Sequence, residues 1–280
     1  MSRRMRLREL LVGVEGLALL RHLYDGSEAE AELRLAEIRH LLDDESFSAA
    51  ETISEADARV GYAAWATSYD DPGNPIIALE EPVTWSFLDL LPAGRALDVA
   101  CGTGRHTRGL VDAGHAVVGV DYTPDMLRVA AGNVPEAAFM DADLLHLPFR
   151  DASFDLVVCG LALAHVEDVE SAVHELARVL CSGGHMVLSV LHPFQANLGW
   201  HAPFESASGE RGFIREHPHT HSDYLAAFED AGLVLWKCAE PALSVADVQS
   251  KRRAFRHVPD AAVAAYAGLP AVLVWGVRKT

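Results

Sequence analysis

The sequence predicts an α/β fold in which a mostly parallel sheet is covered by helices on both faces. Two observations lead there. From Arg95 onward, apolar runs that read as strands alternate with amphipathic runs that read as helices, and crossover connections between parallel strands produce that alternation. Half of the 280 residues are hydrophobic, enough to build the core of one large domain with accessories. The strands are expected at 95–100, 116–121, 136–140, 154–159, 184–191, 233–239 and 271–278, making seven. Helices are expected between them at 104–113, 124–131, 168–180 and 221–231.

Upstream of this alternation, Leu7, Leu10, Leu11, Val14, Leu17 and Leu20 fall at helical spacing within residues 5–23. The arginines at the start resemble an export signal, but Glu15 interrupts the apolar run and no small-residue cleavage site follows. Asp25-Gly26-Ser27 breaks the pattern, and Ser27 caps a second helix over 28–42. Residues 1–60 therefore read as a helical extension serving as a lid or a dimerisation element, and 61–280 as the main domain. Tyr62, Trp65 and Tyr69 share a helix face three to four apart. After the turn Asp71-Pro72-Gly73-Asn74-Pro75, another helix runs through Val83, Phe87 and Leu90. Residues 192–220, rich in His, Pro, Gly and aromatics, read as a long loop that covers the substrate.

A formal net charge of −17 repels phosphate backbones and no basic cluster offsets it, so nucleic acid and anionic membrane are not expected partners. No segment reaches the roughly 18 uncharged apolar residues of a membrane span. Cys101, Cys159, Cys181 and Cys238 are dispersed and form no C-x-x-C pair, which fits free thiols in a reducing cytoplasm.

The chemistry-bearing residues lie at strand ends. Ala96-Leu97-Asp98-Val99-Ala100-Cys101-Gly102-Thr103-Gly104-Arg105 is an apolar strand entering a glycine-rich turn that opens a helix, where backbone can approach a nucleotide closely. Asp121 ends the next apolar run, 17 positions beyond Gly104, where a carboxylate can accept from both ribose hydroxyls. Asp143-Leu144 follows the end of the 136–140 strand, and the stretch from Glu175 through Gly183-Gly184 leads into another apolar strand.

Those four motifs, in this order over roughly Tyr62 to Leu235, resemble the class I S-adenosylmethionine-dependent methyltransferases of the branch that acts on small molecules, such as the ubiquinone and menaquinone methyltransferases. The resemblance implies a Rossmann-like sheet and S-adenosylmethionine as cofactor, with S-adenosylhomocysteine as product. One departure is Ala100, where the family often has glycine; the methyl group is tolerable if that residue keeps φ below zero. A nicotinamide-dependent oxidoreductase is disfavoured because Thr107 replaces the third glycine of its fingerprint.

By the same resemblance, Gly102 and Gly104 approach the ribose and methionine end of the cofactor, and Ala100 belongs to the same loop. Asp98 orders that loop or reaches the amino group through water, and Asp121 takes the ribose hydroxyls. Tyr122 and Met126 pack on adenine, Asp143 with the Leu144 amide reads its amino edge, and Leu161 lies beneath the methionine chain. Tyr62, Trp65 and Tyr69 close over cofactor and substrate, or form a core stripe. His165 and His192, each after a strand end, are the candidate bases. His219 and His221 contact substrate or are structural. A metal site in His217-Pro218-His219-Thr220-His221 is not expected, because the run lacks a helical i, i+4 pair and a completing carboxylate or cysteine.

The expected activity is methyl transfer to a hydroxyl of a small aromatic or polyketide-like metabolite, with an amine or carbon acceptor also open. Two other readings remain: a non-methylating reaction such as cyclisation or decarboxylation on the same fold, and a non-catalytic nucleotide-binding regulator. A homodimer through the N-terminal helices is a further expectation.

Overall fold

A computed structural model describes residues 2–206, 208–250 and 255–280. The N-terminal part comprises β1 (Ser2–Arg6), α1 (Leu7–Arg21), α2 (Glu28–Asp43), β2 (Ala50–Ala56), α3 (Ala58–Trp65) and α4 (Pro75–Leu88). The alternating part follows with β3 (Arg95–Val99), α5 (Arg105–Asp112), β4 (Ala116–Asp121), α6 (Pro124–Asn133), β5 (Ala138–Asp141), β6 (Phe154–Gly160), α7 (Val169–Val179) and β7 (Leu180–Leu191). Then come α8 (Pro193–Asn197), β8 (Ala202–Glu205), β9 (Arg211–Ile214), α9 (His221–Asp230), β10 (Leu233–Ala239), α10 (Val245–Ser250), α11 (Pro259–Tyr266) and β11 (Val272–Lys279).

The main sheet has seven strands in the order β10-β11-β7-β6-β3-β4-β5, and β11 runs antiparallel to both of its neighbours. Because β3, most of β6 and the second half of β7 from Met186 are buried on both faces, these stretches are nearly continuous apolar runs. The chain steps outward from β3 through β4 to β5, then returns to place β6 on the other side of β3. Strand order therefore reverses between β3 and β6, and the crevice beyond their C-terminal ends is where an open α/β sheet receives ligands. The seven strands and the helices between them lie within a few residues of the sequence expectation.

A second sheet was not anticipated. β1, β2, β9 and β8 form a four-stranded sheet that ties the N-terminus to the 192–220 segment. That segment is therefore not one long loop, since it contains α8, β8 and β9. β2 reads Ala-Glu-Thr-Ile-Ser-Glu-Ala and is nowhere fully buried, so it lacks the apolar run that marks a strand in sequence. Its parallel partner β9 lies some 160 residues away along the chain, as the Arg211–Glu51 ion pair at 2.7 Å shows.

The small sheet carries α3. A Cβ on Gly61 would stand 2.5 Å from Ile214 of β9, so glycine lets the helix lie directly on the strand. α1 packs against α2 and α11 around Leu11, Val14, Ala18 and Leu41. Leu20, Leu23, Tyr24 and Leu33 remain exposed on that hairpin.

Candidate functional site

The expected crevice contains a cavity of roughly 180 Å³. Tyr62, Tyr69, Ala100, Gly102, Asp121, Tyr122, Met126, Asp143, Leu144, Leu161 and His165 of the sequence-derived set all line it. Residues from Ala100 to Leu161 thus meet at one place because their strands end side by side, and α3 brings Tyr62 to them.

The glycine loop works through backbone geometry. Gly102 and Gly104 have φ of 55° and 88°, and Gly104 forms the left-handed entry to α5, where a Cβ would crowd Val134 at 3.2 Å. Ala100 also adopts φ of 54°, contrary to the expectation of a negative value. The loop forces the turn there and the methyl group carries the strain. Leu161 is the second strained lining residue, with φ of 56°, held by donation of its N–H to the Ser189 carbonyl at 2.8 Å. Gly104 and Asp98 do not line the cavity. Asp98 is buried and accepts from the Thr107 hydroxyl at 2.6 Å, so it fastens the strand end to the first turn of α5.

Asp121 accepts the Gly102 N–H on one oxygen and the Thr123 N–H on the other, both at 2.8 Å. Each oxygen keeps a lone pair, so the carboxylate can still accept from two hydroxyls. Burial raises its pKa, and the two N–H donors oppose that rise. Asp143 caps its own turn by accepting the Leu145 N–H at 2.9 Å and remains exposed at the cavity rim. Arg59 covers one face of the Tyr122 ring, with its guanidinium carbon 4.7 Å from the centroid. Arg59 lines the cavity and was not singled out in the sequence.

The helix α3 ends at Trp65, so Tyr69 lies beyond it and the predicted common helix face is not continuous. The three aromatics still meet: Tyr62 stacks on Trp65 with centroids 6.1 Å apart, and Tyr69 abuts both edge-on. Trp65 backs this group and does not line the cavity.

His165 is the histidine that reaches the cavity. Its Nδ1–H donates to the Arg215 carbonyl at 2.8 Å, which leaves Nε2 bare to accept from the Tyr62 hydroxyl at 2.7 Å. Burial pushes this imidazole down to about 4. The second candidate base, His192, does not reach the cavity. It caps α8: the Phe194 N–H donates to Nδ1 at 3.1 Å, so Nε2 carries the proton and donates to Glu240 at 2.9 Å. His221 converges on the same Glu240 oxygen at 2.7 Å, away from the expected substrate position. Glu240 supplies the carboxylate that the histidine run lacked in sequence, and the Phe194 contact puts on His192 Nε2 a proton that a metal bond there would displace. His219 also misses the cavity; its Nε2–H donates to the Val166 carbonyl at 2.7 Å and braces the turn that carries His165.

Beneath the cavity lies a charge network that the sequence did not signal. Glu80 of α4 is fully buried and accepts from Thr84 and Ser189 at 2.7 Å and from Arg105 at 2.6 Å, with His106 at 3.2 Å. Burial alone would raise its pKa, yet these partners hold it well below the usual carboxylate range. Gly160 exists to admit this network, since a Cβ there would lie 2.7 Å from the His106 ring.

Comparisons with known proteins agree with this geometry. A family model described as a methyltransferase domain matches residues 97–188. The demethylmenaquinone methyltransferase of Streptomyces griseus is 35% identical over 123 residues, covering 42% of this chain and 54% of that protein. The chain thus spans about half the length of the curated relatives it matches. An S-adenosylmethionine-dependent methyltransferase from Mesorhizobium loti superposes with a TM-score of 0.55 at 25% identity, covering 72% of this chain and 98% of that one. A [4+2]-cyclase shares the fold at 18% identity with a TM-score of 0.56, covering 81% and 98% of the two chains. The strand order, the glycine loop and the matched segment together establish that this chain carries a class I S-adenosylmethionine-dependent methyltransferase domain.

Proposed function

We propose that the protein transfers the methyl group of S-adenosylmethionine to a hydroxyl of a small aromatic or polyketide-like metabolite. The observation that carries this reading is the Tyr62–His165 pair: a bare imidazole nitrogen, fixed in one tautomer and joined to a hydroxyl that lines the cavity opposite Asp121 and the glycine loop. The residues fit the cofactor. Gly102 has open space where a side chain would stand, Asp121 retains acceptor capacity for a sugar, and Tyr122 and Met126 offer apolar contact. When bound, the sulfonium supplies an activated methyl group with its own leaving group.

The chain's residues orient the acceptor and exclude water, effects that supply up to roughly 7–11 kcal/mol in ideal cases. The acceptor hydroxyl donates to Tyr62, whose own proton moves to His165 Nε2, and general-base assistance of this kind contributes typically 10²–10⁴-fold. The curated relatives are named for a demethylated menaquinone, so a quinoid acceptor belongs to the same proposal, with methylation at carbon as its variant. Exposed Leu20, Leu23, Tyr24 and Leu33 support a homodimer through α1 and α2, which sedimentation at micromolar concentration tests.

The decisive experiment incubates the protein with methyl-labelled cofactor and a panel containing a catechol, a hydroxynaphthoquinone and a demethylated naphthoquinone. S-adenosylhomocysteine formed one-to-one with a labelled product supports the proposal. Conversion of an acceptor without consumption of the cofactor overturns it.

A further inference from the structure

Glu216, just beyond β9, is a buried carboxyl without a stabilising charge. It is 8% exposed, and its Oε2 is enclosed with no hydrogen-bond partner. The adjacent Arg215 guanidinium is turned away onto Glu55, at 2.6 and 2.7 Å. The other oxygen, Oε1, lies 3.6 Å from His165 Nε2. The remaining titratable groups facing it are Tyr62 from α3, Tyr224 from α9 and His201, whose Nδ1 accepts the Glu216 N–H at 3.2 Å; His217 is its neighbour in the chain. Burial alone acts on the carboxyl and pushes it up to about 8, so at neutral pH it holds a proton. An orphaned buried carboxyl is costly to the fold, and a group retained at such cost calls for an explanation.

We propose that Glu216 is a positioning residue that provides the countercharge for cations in this pocket: it releases its proton to solvent when a cationic ligand enters, and its carboxylate then steadies His165 as an imidazolium. The inference rests on reading the cavity as an S-adenosylmethionine site. The protons balance. One leaves the Glu216 carboxyl for solvent on binding, and in turnover the acceptor's proton passes through Tyr62 to His165 Nε2. The carboxylate explains how a buried imidazole, a poor base by itself, becomes competent: an anion 3.6 Å from Nε2 favours its protonated form.

S-adenosylmethionine carries a positive sulfur and S-adenosylhomocysteine does not, so the two ligands separate the effect without any acceptor. Calorimetry at pH 7 in two buffers of different ionisation enthalpy gives the protons released per binding event. The wild type is expected to release up to about one more proton with S-adenosylmethionine than with S-adenosylhomocysteine. Glu216→Gln is expected to abolish that difference, and it also controls for ionisation of the ligands themselves. Equal proton counts in the wild type, or a difference that persists in Glu216→Gln, overturn the role of Glu216 and leave the cofactor reading standing. Failure of both ligands to bind overturns that reading and this proposal together. If Glu216→Gln does not fold, titration of the two free ligands supplies the correction for their own ionisation, and the corrected wild-type comparison decides.

Discussion

Two residues in left-handed backbone, Ala100 and Leu161, line the cavity at the ends of the adjacent strands β3 and β6. A non-glycine residue in this region costs on the order of 1–2 kcal/mol, and such strain persists where the surroundings over-determine the backbone. Ala100→Gly should relieve it, offset in part by the greater freedom of glycine in the unfolded chain, for a net gain of about 0.5–1 kcal/mol in chemical denaturation. No gain would mean that the methyl group packs as well as it strains. Asp121→Ala should weaken S-adenosylmethionine binding by about 1.5–3 kcal/mol, because its carboxylate accepts as a charged group. Unchanged calorimetric affinity would remove the ribose role. The residue scale is also where sequence reading divided sharply. Asp121 was legible because strand and carboxylate are adjacent in the chain, whereas Glu216 sits between Arg215 and His217 in what reads as a polar segment.

At the scale of elements, α3 links the two sheets. One face reaches the cavity through Arg59 and Tyr62, and Gly61 rests on Ile214 of the small sheet. A side chain at Gly61 must push α3 away from β9, so Gly61→Val should separate Tyr62 from His165 and accelerate cofactor release in stopped-flow measurements. An unchanged rate would show that α3 is held from elsewhere. α4 acts differently, through Glu80. Removing one member of a buried ion pair leaves the other uncompensated, so Glu80→Ala should destabilise the fold by about 3–5 kcal/mol, read from denaturant midpoints. This pairing is not legible in the chain, because Glu80 stands next to a second glutamate, Glu81, and its partner Arg105 lies 25 residues away.

Over the whole molecule, two buried carboxyls bound stability against pH from opposite sides. Glu80 has a folded-state pKa below its unfolded value, so its contribution is present above roughly pH 4.3 and is lost as pH falls through the folded value. Glu216 is raised to about 8, so its contribution is full below roughly pH 4.3 and declines as pH rises toward 8. Thermal unfolding across pH 5–9 should show the alkaline decline in the wild type and a flatter profile in Glu216→Gln. A parallel profile would mean that Glu216 is not raised.

The sequence by itself determined the seven-stranded sheet and the strand-end residues that line the cavity, since a glycine turn and a strand-end carboxylate are local and a parallel sheet aligns its strand ends at one edge. Only the tertiary structure decided which side chains complete the cavity wall. It brought His165 and not His192 to the cavity, turned His219 and His221 to other partners, and assembled the small sheet from segments some 160 residues apart. Side chains on short or irregular segments take their direction from whatever packs against them, and no periodicity along the chain records that.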